Sequence, residues 1–131
     1  MTDIDEQALE LLQGKNFATV STLREDGSIH SVYIWINVED GKIRLNTADG
    51  RYWLRNVERD PRVTILVGDA ANPYAYAMVR GRVVDVHRGE DALPHIDRLS
   101  QKYHGYDYRG PGKDRRVKLT VEPDRVVAAG G

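Results

Sequence analysis

The stretch FATVSTLREDGSIHSVYIWINVEDGKIRLNT, residues 17–47, decides the fold because it alternates strand-forming segments with two tight turns. The strand-forming segments are rich in β-branched and aromatic residues. Asp26-Gly27 and Asp40-Gly41 occupy the turns, and glycine readily takes up the positive φ that a tight hairpin requires. The stretch therefore predicts a three-stranded antiparallel meander over Phe17–Leu23, Ile29–Val38 and Lys42–Thr47.

Three helices are predicted from apolar residues at helical spacing. They cover Asp3–Gln13, the residues from Gly50 as far as Asp60, and Asp91–Tyr103. The first has Thr2 or Asp3 to accept from its free amides and Gly14 to end it. The second ends before Pro61, because a proline disfavours the α conformation at the preceding residue.

Three more strands are predicted, over Arg62–Gly68, Ala75–His87 and Arg116–Val121. Gly81 lies inside the second of them, which is typical of a bulge or bend in a barrel wall. A long loop over residues 104–114, rich in glycine and tyrosine, precedes the last strand. Such a loop is either a lid over a substrate or an ordered loop without a ligand role.

These elements predict a mainly β fold with short helices, in which antiparallel strands form a small barrel whose ends the helices cover. The chain of 131 residues fits a single domain over residues 1–131. A barrel of this size buries little surface per residue, so we expect a homodimer that pairs through one sheet face.

The composition disfavours several classes of partner. Lys and Arg number 19 against 20 for Asp and Glu, so the net charge of −1 gives no global positive field for nucleic acid or an anionic membrane. The chain has no cysteine, which excludes disulfides, thiolate nucleophiles and thiolate metal ligands. Its apolar runs are too short to span a bilayer and its first residues are acidic, so we expect a cytoplasmic protein.

The segment RYWLRNVERDP, residues 51–61, concentrates donors at the start of the second helix. Arg51 and Arg55 lie four residues apart and project from one helical face, where the helix dipole and free amides also attract an anion. Asn56 adds a donor beside them, and the flat part of a ligand would rest against the strand that ends at Thr47. The alternative is that both arginines pair with Asp49, Glu58 or Asp60 and that Trp53 is a core residue.

The segment VSTLREDGSIHSVYIWINVEDGKIRLNTADGRYWLRNVERDPRVTILV, residues 20–67, resembles the split β-barrel flavin-binding superfamily that includes pyridoxamine 5′-phosphate oxidase. Within it the chain is most similar to the actinobacterial branch that uses the deazaflavin coenzyme F420. That branch has an Arg-any-Lys-any-Arg-Asn helix start, matched here by Arg51, Arg55 and Asn56, followed by the Arg-Asp-Pro-Arg stretch of residues 59–62. The likeness continues through NPYAYAMVRGRVVDV and RRVKLTVEPDRV, so it covers nearly the whole chain.

The resemblance implies a six- to seven-stranded antiparallel split barrel that binds its cofactor at the interface of a homodimer. It implies an oxidoreductase in which F420 transfers a hydride to an unsaturated small molecule, with Arg51, Arg55 and Asn56 holding the phosphate. Tyr74 and Tyr76 are implied to form the wall that reaches toward the partner's cofactor; ordinary barrel packing is the alternative. Because FMN also occurs in the superfamily, an FMN-dependent oxidoreductase is the second interpretation.

Trp53 stands where the family pattern has a lysine. Either its indole stacks on or shields the cofactor, or the pocket binds something else, which keeps open a non-catalytic flavin, haem or tetrapyrrole carrier. Tyr33 and Trp35 share a strand face and would line the ring pocket or, alternatively, form the core of a dimer interface.

No side-chain constellation for acid-base or nucleophilic catalysis is apparent in the sequence. The four histidines, His30, His87, His95 and His104, are spread over different elements without metal-ligand spacing. We therefore expect surface or core histidines rather than a metal site, and a bound cofactor would carry the electron chemistry.

Overall fold

The computed structural model describes residues 4–130, which form three α-helices and seven strands. The helices are α1 (Glu6–Gln13), α2 (Tyr52–Arg59) and α3 (Ala92–His104). The strands are β1 (Ala18–Leu23), β2 (Ile29–Ile34), β3 (Asn37–Glu39), β4 (Lys42–Ala48), β5 (Arg62–Gly68), β6 (Tyr76–Arg88) and β7 (Arg116–Ala129). Within this part of the chain, no helix is both long enough and apolar enough to cross a membrane.

The seven strands form one antiparallel sheet in the order β2-β1-β5-β6-β7-β4-β3. Alternate residues face inward, so that β5, for example, buries Val63, Ile65 and Val67 and exposes the residues between them. The predicted six- to seven-stranded antiparallel split barrel is therefore confirmed.

The predicted strand over Ile29–Val38 is wrong, because the chain breaks it at Trp35 and Ile36. β2 pairs with β1, whereas β3 pairs with β4, and the two halves occupy opposite edges of the sheet. The Ile36 amide donates to the Tyr103 hydroxyl of α3 at 3.2 Å instead of to a neighbouring strand. The meander is thus two separate hairpins, and the break brings the two edges of the sheet together.

The helix boundaries agree with the predictions to within one or two residues, except at the first helix. α1 begins at Glu6 rather than Asp3, and the Asp5 carboxylate accepts from the Ala8 amide at 2.8 Å. The expected caps Thr2 and Asp3 lie outside the described residues. α2 ends before Asp60 and Pro61 as predicted.

The predicted bulge in β6 is present, and β7 is longer than expected. The register between β6 and β7 shifts between Arg80 and Gly81, where a β-carbon would overlap the Glu122 carbonyl. β7 continues beyond the predicted end at Val121, with Pro123 opposite Gly81. A proline is tolerated here because it lies at the irregular point of the ladder.

Candidate functional site

A cavity of about 210 Å³ opens where the broken strand, β4, the start of α2, α3 and β7 meet. One part of its wall is aromatic: Phe17, Tyr33, Trp35 and Tyr108. The polar part consists of Asn46, Thr47, Arg51 and Arg116. Ile34, Trp53, Ile96 and Leu99 complete it. None of these lining residues carries a carboxylate, so two guanidinium groups give the cavity a positive potential.

Arg51 is available to an incoming anion. It is the exposed N-cap residue of α2, and no side chain caps the first turn of this helix. The Arg51 backbone amide donates to the Ala48 carbonyl at 3.1 Å, but within residues 4–130 the Arg51 guanidinium has no hydrogen bond or ion pair to a protein group. The carboxylates expected to compete for it bond elsewhere: Asp49 and Glu58 lie 2.8 and 3.1 Å from Arg88.

Arg116, which sequence reasoning missed, supplies the second positive charge. Its Nε donates to the Asn46 side-chain oxygen at 2.8 Å, and its guanidinium lies 4.9 Å from the centre of the Tyr108 ring. Burial lowers the pKa of Arg116, and the positive charge of Arg51 adds to this lowering. An arginine nevertheless remains charged at neutral pH. The cavity therefore holds two cations in a partly dry setting that favours an anion.

The aromatic wall is preformed by ring contacts. Trp35 stacks on Tyr103 with ring centres 5.3 Å apart and planes 9° apart, and Tyr108 meets Trp35 edge-on. Tyr33, which is 70% exposed, stacks on Phe17 with ring centres 5.0 Å apart. Rings fixed in this way offer flat apolar surface to a conjugated ligand at little cost in side-chain entropy.

Three predicted residues of β4 and α2 have different roles. Thr47 lines the cavity one residue before the end of β4, which continues to Ala48 rather than ending at Thr47. Trp53 is 4% exposed and belongs to the hydrophobic core, and it also forms part of the cavity wall. Asn56 does not line the cavity: it is buried, and its amide donates to the Thr22 hydroxyl at 3.0 Å.

The remaining predicted residues lie away from this cavity. Arg55 is exposed on α2, and its guanidinium has no hydrogen bond or ion pair to residues 4–130, but it is not among the lining residues. Tyr74 and Tyr76 lie before and at the start of β6, 81% and 40% exposed. The cavity thus unites Tyr33, Trp35, Thr47, Arg51 and Trp53, while Arg55, Asn56, Tyr74 and Tyr76 are elsewhere.

His95 lies behind the cavity, where it is fully buried. Its Nδ1 is 3.0 Å from the Asn46 amide nitrogen, and its Nε2 is 2.9 Å from the Asn37 side-chain oxygen. Burial lowers its pKa to about 4, so this histidine is neutral at pH 7. In the part of the chain that the structure describes, no group of three or more histidine or acidic side chains is arranged to hold a metal ion.

Comparisons with known proteins agree with this architecture. A solved structure described as an F420 reductase is similar, with 26% identity and a TM-score of 0.83, over 95% of this chain and 98% of that one. The conserved hypothetical protein Rv2991 from Mycobacterium tuberculosis has 22% identity and a TM-score of 0.79, over 98% and 85% of the two chains. General Stress Protein 26 from Bacillus anthracis str. Sterne has 21% identity and a TM-score of 0.71, over 94% and 91%.

The two structures below 25% identity show the shared fold. A protein-family model identifies the sequence family independently of any single structure. The family is described as pyridoxamine 5′-phosphate oxidase, and the match covers residues 4–128. The chain therefore belongs to the pyridoxamine 5′-phosphate oxidase family.

Proposed function

We propose that this protein is a cytoplasmic oxidoreductase that binds the deazaflavin coenzyme F420 in the Arg51 cavity and uses it to reduce an unsaturated small molecule. The observation that carries the proposal is the pair of guanidinium groups, Arg51 and Arg116, beside an aromatic wall without a lining carboxylate. The similarity to an F420 reductase at 26% identity supports this choice of cofactor. When bound, the cofactor supplies the hydride chemistry.

The side chains of the cavity would divide the work of binding. Arg51 and the uncapped amides of α2 would hold the anionic group of the cofactor, and Arg116 would attract the same charge from β7. Tyr33 and Trp35 would flank its ring, and the Thr47 hydroxyl would hydrogen-bond beside it. Exposed rings and a partly dry cavity would keep water from the reacting face.

Arg55 and Asn56 would act less directly than the resemblance implies. Arg55 lies one turn along α2 from Arg51, so it would attract the anion at longer range, through solvent. Asn56 would support the start of α2 by its bond to Thr22 on β1. Trp53 would form the wall behind the cofactor rather than replace the charge of a lysine.

We further propose that two copies of the chain complete the site. The cavity of about 210 Å³ is smaller than the roughly 300–1,000 Å³ of most cofactor pockets, so a second surface would be needed to enclose the ligand. One side-chain row on the outer face of the sheet is predominantly apolar. This outer row consists of Tyr33, Thr19, Leu66, Met78 and Val127. Tyr74 and Tyr76 would then reach toward the cofactor of the other copy.

FMN is the second candidate cofactor, and the buried Trp53 favours it. Because Trp53 stands where the family pattern has a lysine, the lining residues provide two cations, Arg51 and Arg116. Two cations suffice to bind the single phosphate of FMN. A flavin of this kind would pass electrons to oxygen or another acceptor.

Paired titrations of the purified protein with F420 and FMN, followed by turnover with each reduced cofactor, would test this proposal. We expect saturable binding of F420 and oxidation of reduced F420 when unsaturated ketones or enones are added. Preferred binding of FMN would favour the second candidate. Saturable binding without turnover on any acceptor would instead indicate a carrier.

A further inference from the structure

A chain of polar side chains runs from the cavity into the protein behind α3. Arg116 Nε lies 2.8 Å from Asn46 Oδ1, Asn46 Nδ2 lies 3.0 Å from His95 Nδ1, and His95 Nε2 lies 2.9 Å from Asn37 Oδ1. Its central members are sequestered from solvent, with His95 0% and Asn46 7% exposed. A buried polar group without a hydrogen-bond partner destabilises the folded protein, so each donor in this series must face an acceptor. The direction of one hydrogen bond therefore determines the direction of the next.

The hydrogen bonds at the cavity end of this series of side chains fix the orientation of the Asn46 amide. The Arg116 Nε–H can only donate, so the atom of Asn46 that faces it must be the oxygen. Asn46 Nδ2 lies 3.0 Å from the Ala92 carbonyl, which can only accept. Both neighbours therefore require the same orientation of the amide, and its second N–H points at His95 Nδ1.

The hydrogen bonds at the other end of this series of side chains determine which ring nitrogen of His95 carries the proton. Asn37 Nδ2 donates to the Glu39 carboxylate at 3.2 Å, and Arg98 holds that carboxylate at 2.6 and 2.9 Å. Asn37 Oδ1 is then an acceptor, which receives the proton of His95 Nε2. His95 Nδ1 consequently carries no proton and accepts from Asn46.

We propose that His95 is a positioning residue: by accepting from Asn46, it holds the Asn46 oxygen toward Arg116 and thereby fixes the guanidinium at the cavity wall. Its part in cofactor binding rests on the function proposed above. Asn46 lines the cavity, but its oxygen and both amide protons already have partners within the protein, so we infer that it serves the site through Arg116.

The other hydrogen bonds of Arg116 are too long to replace this support. Its Nη1 lies 3.4 Å from both the Tyr108 hydroxyl and the Pro111 carbonyl, at the limit of hydrogen bonding. Both of these partners lie on the loop between α3 and β7. Asn46, by contrast, lies on β4, where the sheet holds it opposite Lys118 of β7, so its bond is the rigid one.

Two substitutions of His95 separate positioning from simple filling of the core. In His95→Asn, the amide of the new side chain occupies the place of Nδ1, so an oxygen can still accept from Asn46. In His95→Gln, the amide reaches the place of Nε2 and leaves no acceptor for Asn46. Circular dichroism and thermal melting would establish that both variants fold.

The first measurement uses the protein without a ligand. In wild type, the ¹⁵N shifts of the His95 ring should show an unprotonated Nδ1 and a protonated Nε2; the opposite tautomer would overturn the proposal even if neither variant folds. Hydrogen exchange at Arg116 Nε–H should be about tenfold faster in His95→Gln, the scale of one lost hydrogen bond, and unchanged in His95→Asn. Unchanged exchange in His95→Gln would also overturn it.

The second measurement tests the effect on F420 binding through a double-mutant cycle. His95→Gln should raise the Kd for F420 about tenfold in wild type and leave it unchanged in an Arg116→Ala background. An equal rise in both backgrounds would show that His95 does not act through Arg116. If wild type bound neither F420 nor FMN, the proposed function would fail, while the ring shifts and the exchange rate would still decide the role of His95.

Discussion

Arg51 and Arg55 lie one turn apart on α2, yet only Arg51 lines the cavity. We therefore expect Arg51→Ala to raise the Kd for F420 by roughly 10- to 100-fold, the range for a lost hydrogen bond to a charged group. Arg55→Ala should raise it less than about threefold, because an exposed charge acts at longer range through water. Isothermal titration calorimetry at a fixed salt concentration would measure both values.

Arg62→Ala is the matched control for these two variants. It also removes an exposed arginine, but its guanidinium is paired with Asp60 at 2.7 Å and lies outside the cavity lining. Its Kd should equal that of wild type. If Arg55→Ala raised the Kd for F420 more than Arg51→Ala did, the anion would bind on the outer side of α2.

His95 should make the stability of the protein depend on pH. Burial lowers its folded-state pKa from 6.5 to about 4, so between these values the unfolded chain binds a proton that the folded chain does not. The contribution of neutral His95 to the free energy of unfolding is therefore complete above pH 6.5 and decreases as the pH falls toward 4. Between pH 7 and 5 we expect a loss of about 2 kcal/mol in the free energy of unfolding.

Urea unfolding at pH 7 and pH 5, with His95→Asn as the comparison, would measure this loss. The variant lacks the titrating imidazole, so its stability should change less over the same interval. Parallel pH profiles for the two proteins would contradict the assignment of a neutral buried His95.

Arg51 could be predicted as a site residue from the sequence, whereas Arg116 could not. Arg51 stands in a recognisable helix-start pattern, so a local reading was sufficient. Arg116 reaches the cavity because β7 pairs with β4, in a register that places Arg116 opposite Ala48. No local pattern encodes that pairing across the sheet, and the same holds for the contact between Asn46 and His95.

At the scale of elements, α3 secures the break between β2 and β3. The Tyr103 hydroxyl donates to the Asn16 carbonyl at 2.7 Å and accepts from the Ile36 amide, while its ring stacks on Trp35. Tyr103→Phe should keep the stacking but leave these backbone groups without a partner. We expect a loss of roughly 1–3 kcal/mol in the free energy of unfolding, measured with urea.

Tyr106→Phe is the control for this prediction. Tyr106 is 37% exposed, and its hydroxyl has no hydrogen bond to residues 4–130, so its removal should change stability by less than about 0.5 kcal/mol. Equal effects of the two substitutions would mean that α3 does not hold the break through the Tyr103 hydroxyl.

This break also marks the limit of element prediction here. The alternation of residues 29–38 continues through Trp35 and Ile36, so a period of two indicated one strand. The contact that replaces the ladder comes from Tyr103, distant in sequence. By contrast, the ends of α2 and β5 were predictable because the Asp60-Pro61 step is a local signal.

At the scale of the whole molecule, the proposed dimer should depend on the outer row of the sheet. Leu66 lies in the middle of this row, between Thr19 and Met78, and is 46% exposed. Leu66→Glu would place a charge in the interface, so we expect a monomer by analytical ultracentrifugation at micromolar concentration. Leu93→Glu, on α3 and 37% exposed, should remain a dimer. A monomeric wild-type protein would refute the predicted interface.

A crystal structure of the protein with F420 bound would test the central claim most directly. We predict the anionic group of the cofactor within hydrogen-bonding distance of the Arg51 and Arg116 guanidinium groups, and its ring system against Tyr33 and Trp35. A cofactor bound elsewhere, with both arginines bonded only to carboxylates of the protein, would contradict the account.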